Sequence, residues 1–154
     1  MGVSGSGKTT IGRLLSVKTG YPFYDADNFH PPENIAKMKA GHQLTDANRL
    51  PWLNNIHLFV LEKIKDHSVV IACSALKQSY RKLLEMHLEN KCSWVFLKGD
   101  FNTITKRMKN RTDHFMPTDL LQSQFDTLEI PASSIEVDIT MLPESIVDLI
   151  ISKI

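Results

Sequence analysis

The chain has 154 residues, a net charge of +1 and 42% hydrophobic residues, which suffices for the core of one domain, residues 1–154. Its balanced charge indicates no nucleic-acid or acidic-membrane partner, and its two cysteines form no disulfide framework or metal-ligand pattern. The apolar runs are too short to cross a bilayer and the N-terminus lacks a secretory signal, so we expect a cytoplasmic protein.

Strand-like and helix-like stretches alternate along the chain. We expect helices at residues 9–19, at 32–41, from Pro51 onward, from Ser74 to about residue 88, at 101–111, from Pro117 onward and from Pro143 onward. Strands are expected at residues 21–25, 69–73, 94–97 and 136–139. The alternation predicts an α/β domain with a parallel sheet.

The opening stretch, MGVSGSGKTT, fits the phosphate-loop pattern G-x-x-x-x-G-K-[ST] at every fixed position. Glycines let successive backbone N–H groups curl around a polyphosphate, and the following helix points the positive end of its dipole at the same anion. Lys8 is expected to reach the β- and γ-phosphates, and Thr9 to ligate Mg²⁺. The predicted cofactor-binding residues are Gly2, Val3, Ser4, Gly5, Ser6, Gly7, Lys8, Thr9 and Thr10.

Two other interpretations of this stretch remain open. It could be a chance turn rich in glycine and serine. Met1 and Gly2, with Ser6 in place, also fit the short N-myristoylation pattern, which would put an acyl chain on the loop itself.

Asp25 and Asp27 close the second predicted element in the sequence YDADNFHP. In extended backbone, residues two apart share a face, so we expect both carboxylates to project together where a parallel strand ends. One would hold Mg²⁺ through water, and the other would accept a proton from a hydroxyl nucleophile or orient it. The alternative is a solvated turn or a pair of helix caps.

Basic residues follow at the ends of predicted elements: His30, Arg49, Lys77 and Arg81. Arg49 precedes a predicted helix and Lys77 lies in a predicted first turn, where the helix dipole disfavours a cation, so we expect an anionic partner there. The alternative for each is a solvated surface charge.

A further basic cluster ends the predicted helix at 101–111 and contains Lys106, Arg107, Lys109 and Arg111. It leads into a connection rich in Thr, Asp and Pro. In phosphate-loop kinases a mobile lid closes over ATP and its arginines neutralise the transferring phosphoryl group, so we expect a lid at about 107–119. A solvated helix face is the alternative.

The segments MGVSGSGKTT, FYDADNFHPPENIAKMKAG, LTDANRLPWL, VVIACSALKQSYR, FLKGDF and HFMPTDLLQSQFDTLE together resemble the small, thermoresistant type of gluconokinase. These are P-loop kinases related to shikimate and nucleoside-monophosphate kinases. The resemblance covers nearly the whole chain and implies a three-layer P-loop fold, with ATP-dependent phosphorylation of D-gluconate at its 6-hydroxyl and Mg²⁺ as cofactor.

Residue roles follow from the resemblance together with the patterns above. The catalytic residues are then Lys8, Asp27, Arg107 and Arg111. The residues for the D-gluconate substrate are Asp27, His30, Arg49, Lys77 and Arg81, and those for the metal are Thr9 and Asp25.

The chain departs from the family pattern at three places. Asp113 stands where the family usually has Gly, so we expect a stiffer lid hinge, and Asn48 replaces an acid beside Arg49, which would loosen that arginine. Only Met1 precedes Gly2, whereas the family has an apolar strand there, central in the sheet between the strands at 69–73 and 94–97. Either the sequence starts at an internal methionine of a longer protein, which we favour, or it is a short form with impaired folding, or another segment or a partner fills the place.

Two other functions are weighed against the kinase. A GTPase-type switch needs N-K-x-D after a strand, and the nearest match, at residues 90–93, lacks the acid. A catalytically impaired short isoform or pseudokinase would bind nucleotide or a partner without turnover. The sequence leaves a homodimer open.

Overall fold

The computed structural model describes residues 1–88, 90–109 and 118–154. Its strands are β1 (Phe23–Asp25), β2 (Val70–Ala72), β3 (Val95–Lys98) and β4 (Ile135–Asp138). Its helices are α1 (Lys8–Thr19), α2 (Pro32–Lys39), α3 (Asp46–Lys63), α4 (Gln78–Glu85), α5 (Phe101–Lys109), α6 (Thr118–Thr127) and α7 (Pro143–Ile151), and a 3₁₀ helix (Ala26–Phe29) follows β1. The predicted α/β alternation is confirmed. Arg111, Asp113 and Pro117 lie outside the described residues.

The strands form two parallel pairs that meet at Met1. β1 pairs with β2, and β3 pairs with β4. Between the pairs, the Met1 amine donates to the Val95 carbonyl, and the Leu97 N–H donates to the Met1 carbonyl at 3.0 Å. On the other side, the Gly2 N–H donates to the Ser74 carbonyl at 3.3 Å. Met1 therefore lies between β2 and β3, and the phosphate loop begins at the carboxyl ends of the strands.

Apolar clusters cover both faces of the strands. Val95 and Leu97 of β3 belong to one cluster with α1 and α7, whereas Phe96 belongs to the other with α3 and α4. Because successive side chains of a strand point to opposite faces, these two cores lie on opposite sides of the sheet. The result is the predicted three-layer arrangement. No helix in the described part of the chain is long and apolar enough to span a bilayer.

Helix α3 begins five residues before the proline that was predicted to start it. Thr45 caps the helix: its hydroxyl accepts from the Asn48 N–H at 3.3 Å, and the Asn48 side chain accepts from the Thr45 N–H at 3.2 Å. This reciprocal pair is a capping box, and it fixes the start of the helix despite Pro51 in its second turn. Asn48 thus performs the capping that an acid would perform at this position.

Helix α4 begins later than predicted. Its N-cap is Lys77 rather than Ser74, and it ends at Glu85. The preceding backbone turns through Ala75, whose φ of 43° lies in the left-handed region and cannot continue a helix. Lys77 consequently stands just outside the first helical turn and not within it.

An apolar cavity of about 570 Å³ lies between the strand pairs. Val70 and Ala72 of β2 line one side, Val95 and Leu97 of β3 line the other, and α1, α3 and α7 contribute further walls. Met1 lies in the same lining. The cavity is at the place where the family resemblance implies a central strand, and a void of this size at the middle of a sheet forgoes both packing and ladder hydrogen bonds.

We predict that adding about five to eight apolar, β-branched residues before Met1 raises the melting temperature, since these residues would fill the cavity and extend the pairing that Met1 makes with β3. Each kcal/mol gained should raise Tm by about 2–4 °C. A Gly/Ser extension of equal length is the control. Equal Tm values for the two extended chains and the 154-residue chain would contradict the prediction.

A second prediction concerns pH. Burial, with a smaller contribution from the Lys8 charge, lowers the pKa of the Met1 amine from 8.0 to about 5. In a chain that begins at Met1, only the unfolded state binds this proton between pH 5 and 8, so the free energy of unfolding should rise with pH through that window. The slope should approach about 1.4 kcal/mol per pH unit. Urea denaturation at several pH values measures it, and acetylating the amine should remove the dependence on this group.

Candidate active site

The backbone conformation of the phosphate loop requires glycine at two positions. Gly5 has a φ of 79°, and a Cβ at this position would lie 2.8 Å from Met108 Cγ and 3.0 Å from Ile104 Cγ2 of α5. Gly7, with a φ of 97°, precedes α1 and offers no side-chain cap to it. The first N–H groups of α1 therefore point toward the loop, which is the arrangement that binds anions at helix N-termini.

Side chains within the loop are also suited to a polyphosphate. Lys8 Nζ donates to the carbonyls of Gly2 at 3.1 Å and Val3 at 3.0 Å, so the cation lies over the start of the loop. The Ser6 hydroxyl is buried and has no hydrogen-bond partner among the described residues. A buried hydroxyl of this kind gains when a polar ligand occupies the loop.

The Ser4 N–H is engaged differently, because it donates to Gln124 Oε1 of α6 at 2.7 Å. The Ser6 N–H is also engaged, since it donates to the Val3 carbonyl at 3.3 Å. Thr10 is exposed in the first turn of α1. The loop as a whole fits a nucleotide.

Thr9 and Asp25, for which the sequence analysis predicts a role in metal binding, lie together. The Thr9 hydroxyl donates to Asp25 Oδ2 at 2.8 Å. Both are oxygen donors, which Mg²⁺ prefers, and a nucleotide-bound Mg²⁺ needs only one or two protein ligands because phosphates and water supply the others. Among the described residues, no group of three or more His, Cys, Asp or Glu could hold a metal ion.

Asp25 and Asp27 do not share a strand face, so that prediction is wrong. Strand β1 ends at Asp25, whose Oδ1 accepts from the Asp27 N–H at 3.1 Å and caps the 3₁₀ helix that follows. The cap turns the chain, and Asp27 becomes an exposed residue in the first turn of that helix.

His30 lies near Asp27 and Arg49, two residues of the predicted substrate site. Its ring stacks on Trp52, with centroids 4.2 Å apart and planes inclined by 13°. Burial lowers the pKa of His30, the Asp27 charge opposes that shift, and the Arg49 charge adds to it. The structure thus brings Asp27, His30 and Arg49 into one neighbourhood, with a neutral imidazole favoured at pH 7.

Asp46 holds two of the predicted basic residues. Lys77 Nζ contacts both Asp46 oxygens, at 2.9 Å and 2.7 Å, and this hydrogen bond is the main cause of the lowered pKa of Asp46 and of the raised pKa of Lys77. The Tyr80 hydroxyl also donates to Asp46, and Arg49 Nη1 donates to the same hydroxyl at 3.3 Å. One exposed carboxylate therefore organises two cations and a phenol.

A polar pocket of about 180 Å³ opens beside this network. Asp46, Arg49 and Lys77 line it from one side, and Gln124 lines it from α6. Its remaining lining is Gln43, Leu44, Leu76, Ser123 and Thr127. A pocket of this size, with cations and amides in its walls, suits a small, polar, anionic ligand.

Two predicted site residues make backbone contacts in this structure. Arg81 is buried, its pKa is lowered by that burial, and its Nη1 donates to the carbonyls of Ala75 and Leu76 at 2.9 Å and 3.0 Å. Arg107 Nη2 donates to the Ile139 carbonyl. Their proposed contacts with substrate and phosphoryl group stay predictions, and Arg111 lies outside the described residues.

Sequence reasoning missed Asp46, Tyr80 and Gln124. All three occur within segments already quoted for the family resemblance, LTDANRL, CSALKQSYR and LLQSQF. Asp46 was detectable as an acid three residues before Arg49 on a helix. No local signal indicates that Gln124 contacts Ser4, because the two residues are 120 positions apart.

Comparison with known proteins gives the same fold. Residues 4–133 match the family model described as "Shikimate kinase". A shikimate kinase from Aquifex aeolicus is 19% identical, with a TM-score of 0.60 over 99% of this chain and 91% of that one, and it supports the fold alone.

Proteins named gluconokinase are considerably more similar. The chain is 44% identical to "Probable gluconokinase" of Mus musculus, covering 86% of this chain and 82% of that protein. It is 43% identical to "Thermosensitive gluconokinase" of Escherichia coli (strain K12), covering 92% and 75%. The crystal structure of a gluconokinase from Sinorhizobium meliloti 1021 superposes with a TM-score of 0.88 at 43% identity, covering 99% and 87%. On these matches the chain belongs to the gluconokinase family of P-loop kinases.

Proposed function

We propose that this protein transfers the γ-phosphoryl group of ATP to the 6-hydroxyl of D-gluconate, giving 6-phospho-D-gluconate and ADP. The observation that carries the proposal is the phosphate loop at the head of α1 together with a cation-lined pocket beside Arg49 and Lys77. Curated relatives at 37–44% identity are named for this enzyme, and none of them favours a non-catalytic nucleotide binder. The cytoplasm, where ATP is supplied, is the proposed location.

On the nucleotide side, the loop amides and Lys8 bind the phosphates and stabilise the negative charge that develops in the transition state. Thr9 and Asp25 would hold Mg²⁺, which would supply positive charge beside the phosphates when bound. Arg107 and Arg111 are proposed to add positive charge from the lid region, as the sequence predicts.

On the acceptor side, Arg49 and Lys77 supply positive charge for the gluconate carboxylate or for its hydroxyl oxygens. Asp27 is proposed to orient the 6-hydroxyl and to accept its proton. His30 and Arg81 complete the proposed substrate set. As the bond from O6 to the γ-phosphorus forms, the bond from that phosphorus to the β–γ bridging oxygen of ATP breaks, and this oxygen leaves with ADP.

The central test measures ADP release with and without gluconate, and 6-phosphogluconate by mass spectrometry. We expect Lys8→Ala to lower kcat by a factor of about 10²–10³, since a transition-state donor is lost, with little change in Tm. Lys18→Ala is the matched control on the same helix, because Lys18 forms an exposed ion pair with Asp148. A wild type whose ADP release is not increased by gluconate, and which forms no 6-phosphogluconate, would overturn the proposed function. A near-normal kcat for Lys8→Ala would exclude the role of Lys8.

Arg49→Ala should raise the KM for gluconate far more than that for ATP, by about 10-fold or more, because a charge-assisted contact with the acceptor is removed. Arg49→Lys should give a smaller increase, since it keeps the charge but loses the planar donor geometry. Arg13→Ala, which removes an arginine stacked on Phe23, controls for general loss of charge. An unchanged KM for gluconate in Arg49→Ala would show that Arg49 is a solvated surface charge.

A further inference from the structure

Helix α6 contacts the phosphate loop directly. Gln124 Oε1, near the middle of this helix, accepts a hydrogen bond of 2.7 Å from the Ser4 N–H. Ser4 lies in the first half of the loop, before the glycines that lead into α1. The side-chain amide of Gln124 on α6 thus fixes the Ser4 N–H of the loop.

The same helix is attached to the acceptor side. Gln124 lines the polar pocket together with Asp46, Arg49 and Lys77. Just beyond the end of α6, the Glu129 N–H donates to the Leu76 carbonyl at 2.9 Å. The Glu129 carboxylate also accepts from the Gln78 N–H at the start of α4. Helix α6 therefore links the pocket wall to the loop, and Gln124 is the residue that contacts both.

We propose that Gln124 is a positioning residue of the phosphoryl transfer, which holds the first half of the phosphate loop in register with the acceptor pocket. The inference rests on the proposed gluconokinase function and adds a residue to it. In-line transfer requires the γ-phosphorus and the acceptor oxygen to approach closely and in line, and an error of about 1 Å can cost about 100-fold in rate. A direct contact between the two binding sites, through Gln124, limits such errors.

A neutral amide suits this place better than a carboxylate. The Gln124 carbonyl oxygen satisfies the Ser4 N–H without placing negative charge between a polyphosphate cradle and a pocket lined by Arg49 and Lys77. A glutamate at this position could accept the same hydrogen bond, but its charge would repel both anions. The two properties, hydrogen bonding and neutrality, are separable by mutation.

The test compares variants of the full chain by steady-state kinetics with ATP and gluconate. Gln124→Met keeps the length of the side chain, but its thioether is a much weaker hydrogen-bond acceptor for the Ser4 N–H than the amide oxygen. We expect kcat to fall by about 10- to 100-fold while both KM values stay within about threefold, because alignment is lost and binding contacts remain. The fraction of ATP hydrolysed without phosphorylating gluconate should rise.

Gln124→Glu should behave differently. It retains an acceptor for Ser4, so we expect a smaller loss of kcat than in Gln124→Met, but higher KM values for both ATP and gluconate from charge repulsion. The matched control is Gln122→Met on the same helix, since Gln122 is exposed and its amide donates to Asp126 at 2.8 Å. This control should keep wild-type kcat and KM values.

The outcomes separate the two proposals. A wild-type protein that phosphorylates gluconate, with Gln124→Met retaining kcat within twofold, overturns the positioning role and leaves the proposed function intact. A loss of kcat that merely parallels a fall in Tm, equal in Gln124→Met and Gln124→Glu, also overturns it, because it indicates a structural clip alone. A wild type without gluconate turnover overturns both.

Discussion

The backbone N–H groups of the phosphate loop must converge on one small volume, and every proposed step depends on that convergence. The loop is attached at three places: its first residue through the contacts of Met1 and Gly2 with β3 and Ser74, its first half through Gln124, and its end by the first turn of α1. Amide dipoles stabilise charge most effectively when they are already oriented toward it. These attachments fix the orientation of the loop amides before a ligand binds. Gly5 contributes differently, because it lets α5 pack closely on the loop.

At the proposed acceptor pocket the constraint is the opposite one, because the cations Arg49 and Lys77 must be held close together. Asp46 does this by contacting Lys77 and Tyr80, while Tyr80 in turn accepts from Arg49. Asp46 is exposed, so its ion pairs contribute little to stability, and water competes readily for them. If Arg49 and Lys77 bind the acceptor as proposed, an anionic ligand would exchange with the Asp46 carboxylate at small cost.

Local signals predicted most of the fold. Three features depend on neighbouring residues only. They are the glycine-rich loop before α1, the left-handed Gly20 that ends α1, and the apolar runs of β2 and β3. Two errors occurred where a side-chain contact overrides a local preference: the box between Thr45 and Asn48 starts α3 ahead of its proline, and Asp25 caps the 3₁₀ helix that carries Asp27. A third arose from the backbone, because the left-handed Ala75 delays the start of α4. The pocket was predicted only in part, because its contacts join residues more than 30 positions apart, such as Lys77 and Asp46, and no periodicity encodes them.

The segment between β2 and α4 lies beside both the phosphate loop and the proposed acceptor pocket. Its Ser74 carbonyl accepts from Gly2 at the start of the phosphate loop, and its Leu76 carbonyl accepts from Glu129 after α6. Lys77, at the end of the segment, lines the polar pocket. The buried Arg81 binds this segment, since its Nη1 donates to the carbonyls of Ala75 and Leu76. A buried arginine bound to backbone carbonyls is costly to displace. The segment therefore contacts the phosphate loop, α6 and the polar pocket, and Arg81 holds its backbone by these two hydrogen bonds.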